Sequence, residues 1–251
     1  MSAPIGSRDW REPEPELTDG IGSLAAGLRD LAWLRRALYR FSGALFLPPD
    51  DDRRVQLTEA ARTLCGEQES LAGFPWYLAW QPLLNRLAAG EWPPLPELQE
   101  AYTWLFVAAA GGQPCCPPYA SYYLDPDRRA AGWIPLALEQ EYRSAGMTVS
   151  PLFRATPDHL AVELEYMATL CGREAEAWEQ GSTRDTRTIL RRERRFVERF
   201  LCTWLPAFAR QVHLADPTTP YVAAADAVDA FVQHDLDLVS LLLGTLPEVH
   251  R

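Results

Sequence analysis

The stretch Leu28–Leu47, "LRDLAWLRRALYRFSGALFL", decides the fold class. Leu31, Leu34, Leu38, Phe41 and Leu45 recur at helical steps, which places them on one face of a helix. Arg35, Arg36 and Arg40 fall between them. The pattern begins near Gly20. "LPPDDDRR" ends this helix and starts the next, with an Asp in the cap region after the prolines. Further helices are predicted over about 52–65, 75–89 and 95–109, punctuated by "AGFP" and "GEWPPLP". "GWIPLALEQEYRSAGM" reads as one more, ended by Gly146. In "TPDHLAVELEYMATL", Thr156 suits an N-cap, Pro157 the first helical position and Asp158 the positive end of the helix dipole. Leu160, Leu164, Met167 and Cys171 then line one face. Leu190, Val197, Leu201 and Phe208 do so from Thr183 to His213, and Ala224, Val228, Phe231 and Val239 from Pro220 to Leu243. No set of alternating strands and no internal repeat is visible. The fold class is therefore all-α, a single bundle-like unit of about eight to ten helices.

One segment breaks the pattern. "GGQPCCPPYASYYLDPDRRAAG", residues 111–132, holds four prolines, three tyrosines and the adjacent cysteines Cys115 and Cys116. Long loops inside compact domains are uncommon and often functional. This one is expected to be a hinge, with residues 19–110 and 133–251 as the lobes on either side. Residues 1–18, acidic and proline-bearing, are expected to be a disordered tail ahead of an all-helical domain over 19–251.

Composition narrows the function. The formal net charge is −10, against a nucleic-acid-binding surface and in favour of solubility or a cationic partner. All 24 basic residues are Arg. The absence of Lys excludes Schiff-base lysines, the P-loop lysine and a lysine general base. The five cysteines form no CxxC pair, which fits a reducing compartment. The first residues carry no apolar signal-peptide core, and no apolar run is long enough to span a bilayer. The chain is expected to be cytoplasmic, without stable membrane association.

Candidate chemistry is sparse. The four histidines, His159, His213, His234 and His250, form no tight ligand pair. His159 and Glu163 share a helix face, and a second functional reading makes the chain a helical metal-binding protein or enzyme using Asp158, His159 and nearby acids. No third and fourth ligand suggest themselves, so no metal and no cofactor is expected. His159 is expected to titrate near neutrality. The run Arg184–Arg199, seven Arg among three acids, reads as a solvated helix face. Cys115 and Cys116 have no partner base and are expected to be dispensable. Taken alone, the residues describe a soluble, acidic, helical binding module.

Two motifs in register say more. "AYTWLFVAAAGGQPCCPPYASYYLDP" resembles the central signature of the TorD/DmsD/NarJ family of cytoplasmic molybdoenzyme maturation chaperones. The matching residues are Tyr102, Leu105, Phe106, Pro117, Pro118, Tyr119, Ser121, Tyr123 and Leu124. "TPDHLAVELEYMATL" resembles the family's downstream helix start, through Pro157, Asp158, His159, Leu160, Glu163 and Glu165. Order and spacing agree over most of residues 20–245. One departure stands out: Arg154, Ala155 and Thr156 occupy the place where relatives often carry a Glu. Its role falls to Glu163 or Glu165, or is lost.

The resemblance implies a TorD-like fold. It also implies a system-specific chaperone that binds the N-terminal segment, often a twin-arginine signal peptide, of a molybdenum oxidoreductase catalytic subunit. Cofactor insertion and assembly would precede export. The client-binding residues it implies are Trp104, Leu105, Phe106, Pro118, Tyr119, Ser121, Tyr123, Pro157, Asp158, His159 and Glu163. Its partner would be that subunit alone, with no nucleic acid, and the chaperone itself a monomer or homodimer. A cationic, apolar peptide asks for a groove with apolar walls and an acidic rim. Residues 139–179, with eight acids against three Arg, are expected to supply the rim.

Overall fold

The computed structural model describes residues 15–109, 112–125, 132–150, 153 and 155–247. The first helix, α1, runs Pro15–Leu45, followed by α2 (Asp51–Gly66), the single turn α3 (Gln68–Leu71), α4 (Tyr77–Ala88) and α5 (Leu95–Tyr102). A π-helical turn, Thr103–Val107, extends α5. The short α6 (Ala120–Leu124) follows, then α7 (Trp133–Ser144) and α8 (Leu160–Glu179). The last segments are α9 (Thr183–Phe196), which continues through a π-turn, Val197–Leu201, into α10 (Cys202–Ala215), and α11 (Pro220–Thr245). Counting Thr183–Ala215 once, the described residues form ten helices and no strand. The all-α expectation holds. The tail expected over 1–18 lies largely outside the described residues, and its last four positions are the first turn of α1.

Local chemistry explains the ends. Asp50 caps α2 by accepting the Arg53 N–H at 2.7 Å, and Asp51 and Asp52 place negative charge in its first turn. Helix α8 ends on Gly181, whose φ of 65° is the left-handed conformation a Cβ disfavours. Ser182 N–H then reaches back to the Ala177 carbonyl at 3.0 Å and Gly181 N–H to Trp178 at 3.1 Å, the paired bonds of a glycine C-cap. Gly146 closes α7 in the same way. Pro206 in α10 has no N–H to give the Cys202 carbonyl, and the π-turn Val197–Leu201 lies immediately before it.

One core joins both sides of the central loop. Phe46, just past the end of α1, and Phe106 of the first π-turn both meet Phe208 of α10, at 5.4 and 6.0 Å between ring centres. Trp80 of α4 donates its indole N–H to the Ala227 carbonyl of α11 at 2.6 Å. Each such fully buried large side chain contributes roughly 1.5–3 kcal/mol through burial. Helix α1 lies along α8. The segments expected as separate lobes therefore share their packing, and Leu38, Trp80, Leu138 and Phe231 belong to a single cluster.

Candidate functional site

The chain around Tyr119 runs antiparallel to the chain around His159 and closes an isolated bridge. Ala120 N–H donates to the Asp158 carbonyl at 3.0 Å, and Leu160 N–H to the Pro118 carbonyl at 2.9 Å. The Tyr119 and His159 rings meet edge to face with centroids 5.0 Å apart, and Phe153 meets the same imidazole at 5.4 Å. The central loop and the Pro157–Asp158–His159 turn are thus one structure.

Asp158 is wholly buried, and its side chain caps α6 rather than its own helix. Oδ2 accepts the Ser121 N–H at 3.0 Å and Oδ1 accepts the Thr156 hydroxyl at 2.5 Å. The N-cap of α8 is His159, whose Nδ1 accepts the Ala161 N–H at 3.1 Å. This corrects two expectations: Thr156 is not the cap, and Pro157 is not the first helical residue. The bridge claims the backbone of 158–160, so the helix starts at Leu160. A third correction concerns charge. Burial pushes the His159 pKa down to about 4, outweighing the pull of Asp158, so the imidazole is neutral at pH 7 and free to accept.

The layer behind the bridge is equally enclosed. Tyr142 donates its hydroxyl to the Pro157 carbonyl at 2.9 Å. Glu163 Oε2 accepts the Trp204 indole N–H at 3.3 Å, while Oε1 meets no donor. Burial pushes the Glu163 carboxyl well above the usual carboxylate range, which favours its neutral form. Tyr123 stacks on Trp204 at 5.4 Å. On the other side, Cys116 N–H donates to the Leu105 carbonyl at 2.7 Å and Cys115 N–H to Trp104 at 3.4 Å, pinning the loop to the π-turn.

Burial therefore divides the residues expected to touch a client. Leu105, Phe106, Pro118, Ser121, Asp158, His159 and Glu163 are enclosed and hold the loop in place. Tyr119, Tyr123 and Pro157 are half-buried, and Trp104 is 36% exposed. The enclosed seven position a surface; they do not present one.

That surface lies next to them. Helices α1, α2 and α8, residues Met147–Ser150 and Phe153 line a groove of about 950 Å³. Ala37 and Ala44 of α1 and Ala161 of α8 line it with small side chains, while Leu57, Val149 and Phe153 give it apolar walls. Arg40 and Glu165 are the charged side chains among its described lining residues. Two turns of a helix about 10 Å across fill roughly 850 Å³. Phe153, which also touches His159, links groove to bridge.

The sequence reading missed a second polar centre. Arg35 is buried and not on a solvated face. Its Nε donates to Asp235 Oδ1 at 2.6 Å and Nη2 to Glu193 Oε2 at 2.6 Å, and Nη1 donates to Glu174 Oε2. Tyr39 adds its hydroxyl to Asp235 Oδ2 at 2.6 Å. Four helices, α1, α8, α9 and α11, meet at this guanidinium. Glu193 is thus an exception to the solvated face expected over 184–199. The signal was present: Arg35 sits four residues after Leu31 and three before Leu38, within the apolar stripe.

A metal at Asp158 and His159 finds little support in this geometry. Both Asp158 oxygens and His159 Nδ1 are taken by hydrogen bonds. Among the described residues, Cys171, Glu174 and Glu193 come within ligand-like spacing of one another. There the Arg35 guanidinium already holds both carboxylates.

Comparisons with known proteins agree with the two motifs. A family model described as nitrate reductase delta subunit matches residues 75–210. A chaperone protein TorD of Psychrobacter sp. is 30% identical over 207 residues, covering 80% of this chain and 89% of that one. A selenate reductase assembly chaperone protein of Thauera selenatis is 43% identical over 98 residues, 39% of this chain and 41% of that one. Among solved structures, a chain of Archaeoglobus fulgidus, provisionally named a redox enzyme maturation protein, is 20% identical with a TM-score of 0.48. That match covers 79% of this chain and 93% of the other.

Proposed function

The chain belongs to the nitrate reductase delta subunit family, and on that premise we propose that it is a maturation chaperone for a molybdenum-containing oxidoreductase. It binds the N-terminal segment of the catalytic subunit, a twin-arginine signal peptide where the client is exported, and holds it while cofactor insertion and assembly proceed. It acts in the cytoplasm and performs no chemistry on its client. A chaperone protein TorD and a selenate reductase assembly chaperone protein among its relatives support the class of activity.

The observation that carries the binding reading is the groove. Its apolar walls and small-residue lining suit the apolar face of a helix, and its volume suits about two turns. The bridge of Tyr119 and His159 stands at one side and meets the groove wall at Phe153. Burial of the peptide's apolar face supplies the affinity, and charged contacts at the mouth supply orientation and association rate. A micromolar dissociation constant is expected, roughly −8 kcal/mol.

Calorimetric titration with N-terminal peptides of molybdenum-oxidoreductase catalytic subunits from the same genome tests the reading. Binding that is lost when Ala44→Trp fills the groove is the expected result. No heat from any such peptide, with the protein folded by circular dichroism, would overturn it.

A further inference from the structure

We infer that Glu165 is the residue that reads a positive charge on the bound segment, and that Arg40 is its built-in competitor. The inference rests on the groove reading above and specifies its ligand: an apolar segment carrying an arginine that docks on Glu165.

Elimination among the acids comes first. Of the eight acids in 139–179, Asp158 and Glu163 are enclosed behind the bridge, and Glu174 is locked to Arg35. Glu141 is held by Arg195 at 3.2 Å, by Arg192 at 3.9 Å and by the Tyr166 hydroxyl at 3.0 Å. Glu139 pairs along its own helix with Arg143 at 3.6 Å. Glu176 and Glu179 are exposed but do not line the groove. Glu165 does line it, and its side chain is 57% exposed. Among the described residues, the broad acidic rim expected from composition is thus reduced to a single carboxylate lining the groove.

The pairing of that carboxylate comes second. Glu165 on α8 faces Arg40 on α1 with Nε and Oε2 3.6 Å apart and the two side chains 58% and 57% exposed. An exposed pair of this kind is held weakly, so exchange of its cation is cheap. An arginine on a segment lying in the groove is partly desolvated there and presents the planar fork that matches a carboxylate in two bonds. It takes Glu165 from Arg40, which swings into solvent. The same pair keeps the empty groove neutral, so that a plain apolar segment gains nothing from its charges.

The test uses two synthetic helical peptides of the same apolar run, one with two arginines at its N-terminal end and one with glutamines there. Wild-type protein is expected to bind the arginine peptide about tenfold more tightly. Glu165→Gln should cut that preference to under twofold by weakening the arginine peptide alone. Arg40→Gln should act with the opposite sign and tighten the arginine peptide about threefold. A preference that survives Glu165→Gln, or an equal loss for both peptides, overturns the inference and leaves the groove reading standing. Failure of both peptides to bind wild-type protein overturns both.

Discussion

The backbone N–H of Ser121 donates to Asp158 Oδ2 at 3.0 Å, so one buried carboxylate joins residues 37 apart in the sequence. The carboxylate starts α6, holds Thr156 beneath it and lies between the loop and α8. Asp158→Ala removes the acceptor of the half-buried Thr156 hydroxyl and of the buried Ser121 N–H, and the latter costs roughly 1–3 kcal/mol when left unsatisfied. Asp158→Asn keeps an acceptor oxygen and an N-cap preference, and should lose only about 1 kcal/mol. Urea denaturation of both variants checks the order. Equal stability of the alanine variant and wild type would remove Asp158 from the lock.

How far the sequence carried this is clear from the same residues. The helical periods were legible because each helix buries one stripe, and the pairing of Tyr119 with His159 was legible because both motifs resembled one family. The cap was not, because Asp158 serves a helix far away in the chain while Thr156 looked like the local answer. Glu163 and Glu165 looked alike at two-residue spacing, and only the burial of one against Trp204 separates them. The burial of Arg35 went unread, although four charges inside four apolar stripes, Arg35, Glu174, Glu193 and Asp235, spell out a buried cluster.

That cluster sets a pH dependence. One guanidinium faces three carboxylates, and Glu193 Oε1 has no donor. Burial pushes the Glu193 pKa from its ordinary 4.5 up to about 8, with Arg35 opposing the shift. The folded state thus holds this proton more tightly than the unfolded chain. Its contribution is complete below pH 4.5 and is lost as pH rises toward about 8. Glu193→Gln should flatten the fall in stability between pH 5.5 and 8.5 in denaturant titrations. An unchanged slope would show that the proton resides elsewhere. Arg35→Met leaves the carboxylates uncompensated and should cost about 3–5 kcal/mol.

His159 works in the other direction. Its folded pKa of about 4 lies below the ordinary 6.5, so the neutral ring is the one that folds. The Nδ1 cap on Ala161 is intact above pH 6.5 and is lost as pH falls through 4. Nitrogen chemical shifts of the His159 ring should therefore stay those of a neutral imidazole from pH 8 down to about 5.5. Titration with a midpoint near 6.5 would mean that the ring is not enclosed by Tyr119 and Phe153.

Cys116 offers a direct readout of the loop. Its side chain is fully buried, burial pushes the thiol up to about 12, and its N–H is bonded to Leu105 at 2.7 Å. Alkylation at pH 8 must wait for the loop to lift. Cys171 is also fully buried, but beside the Arg35 cluster in the helix frame, so it reports unfolding of the whole protein. If Asp158 locks the loop, Asp158→Ala lowers the opening free energy by the 1–3 kcal/mol argued above. Labelling of Cys116 should then speed up between about fivefold and about 150-fold. Labelling of Cys171 should rise much less, because the frame is untouched. Mass spectrometry of peptides containing each cysteine measures both rates in one reaction. Equal acceleration at the two sites would show that Asp158 supports the whole fold and that the loop does not open by itself.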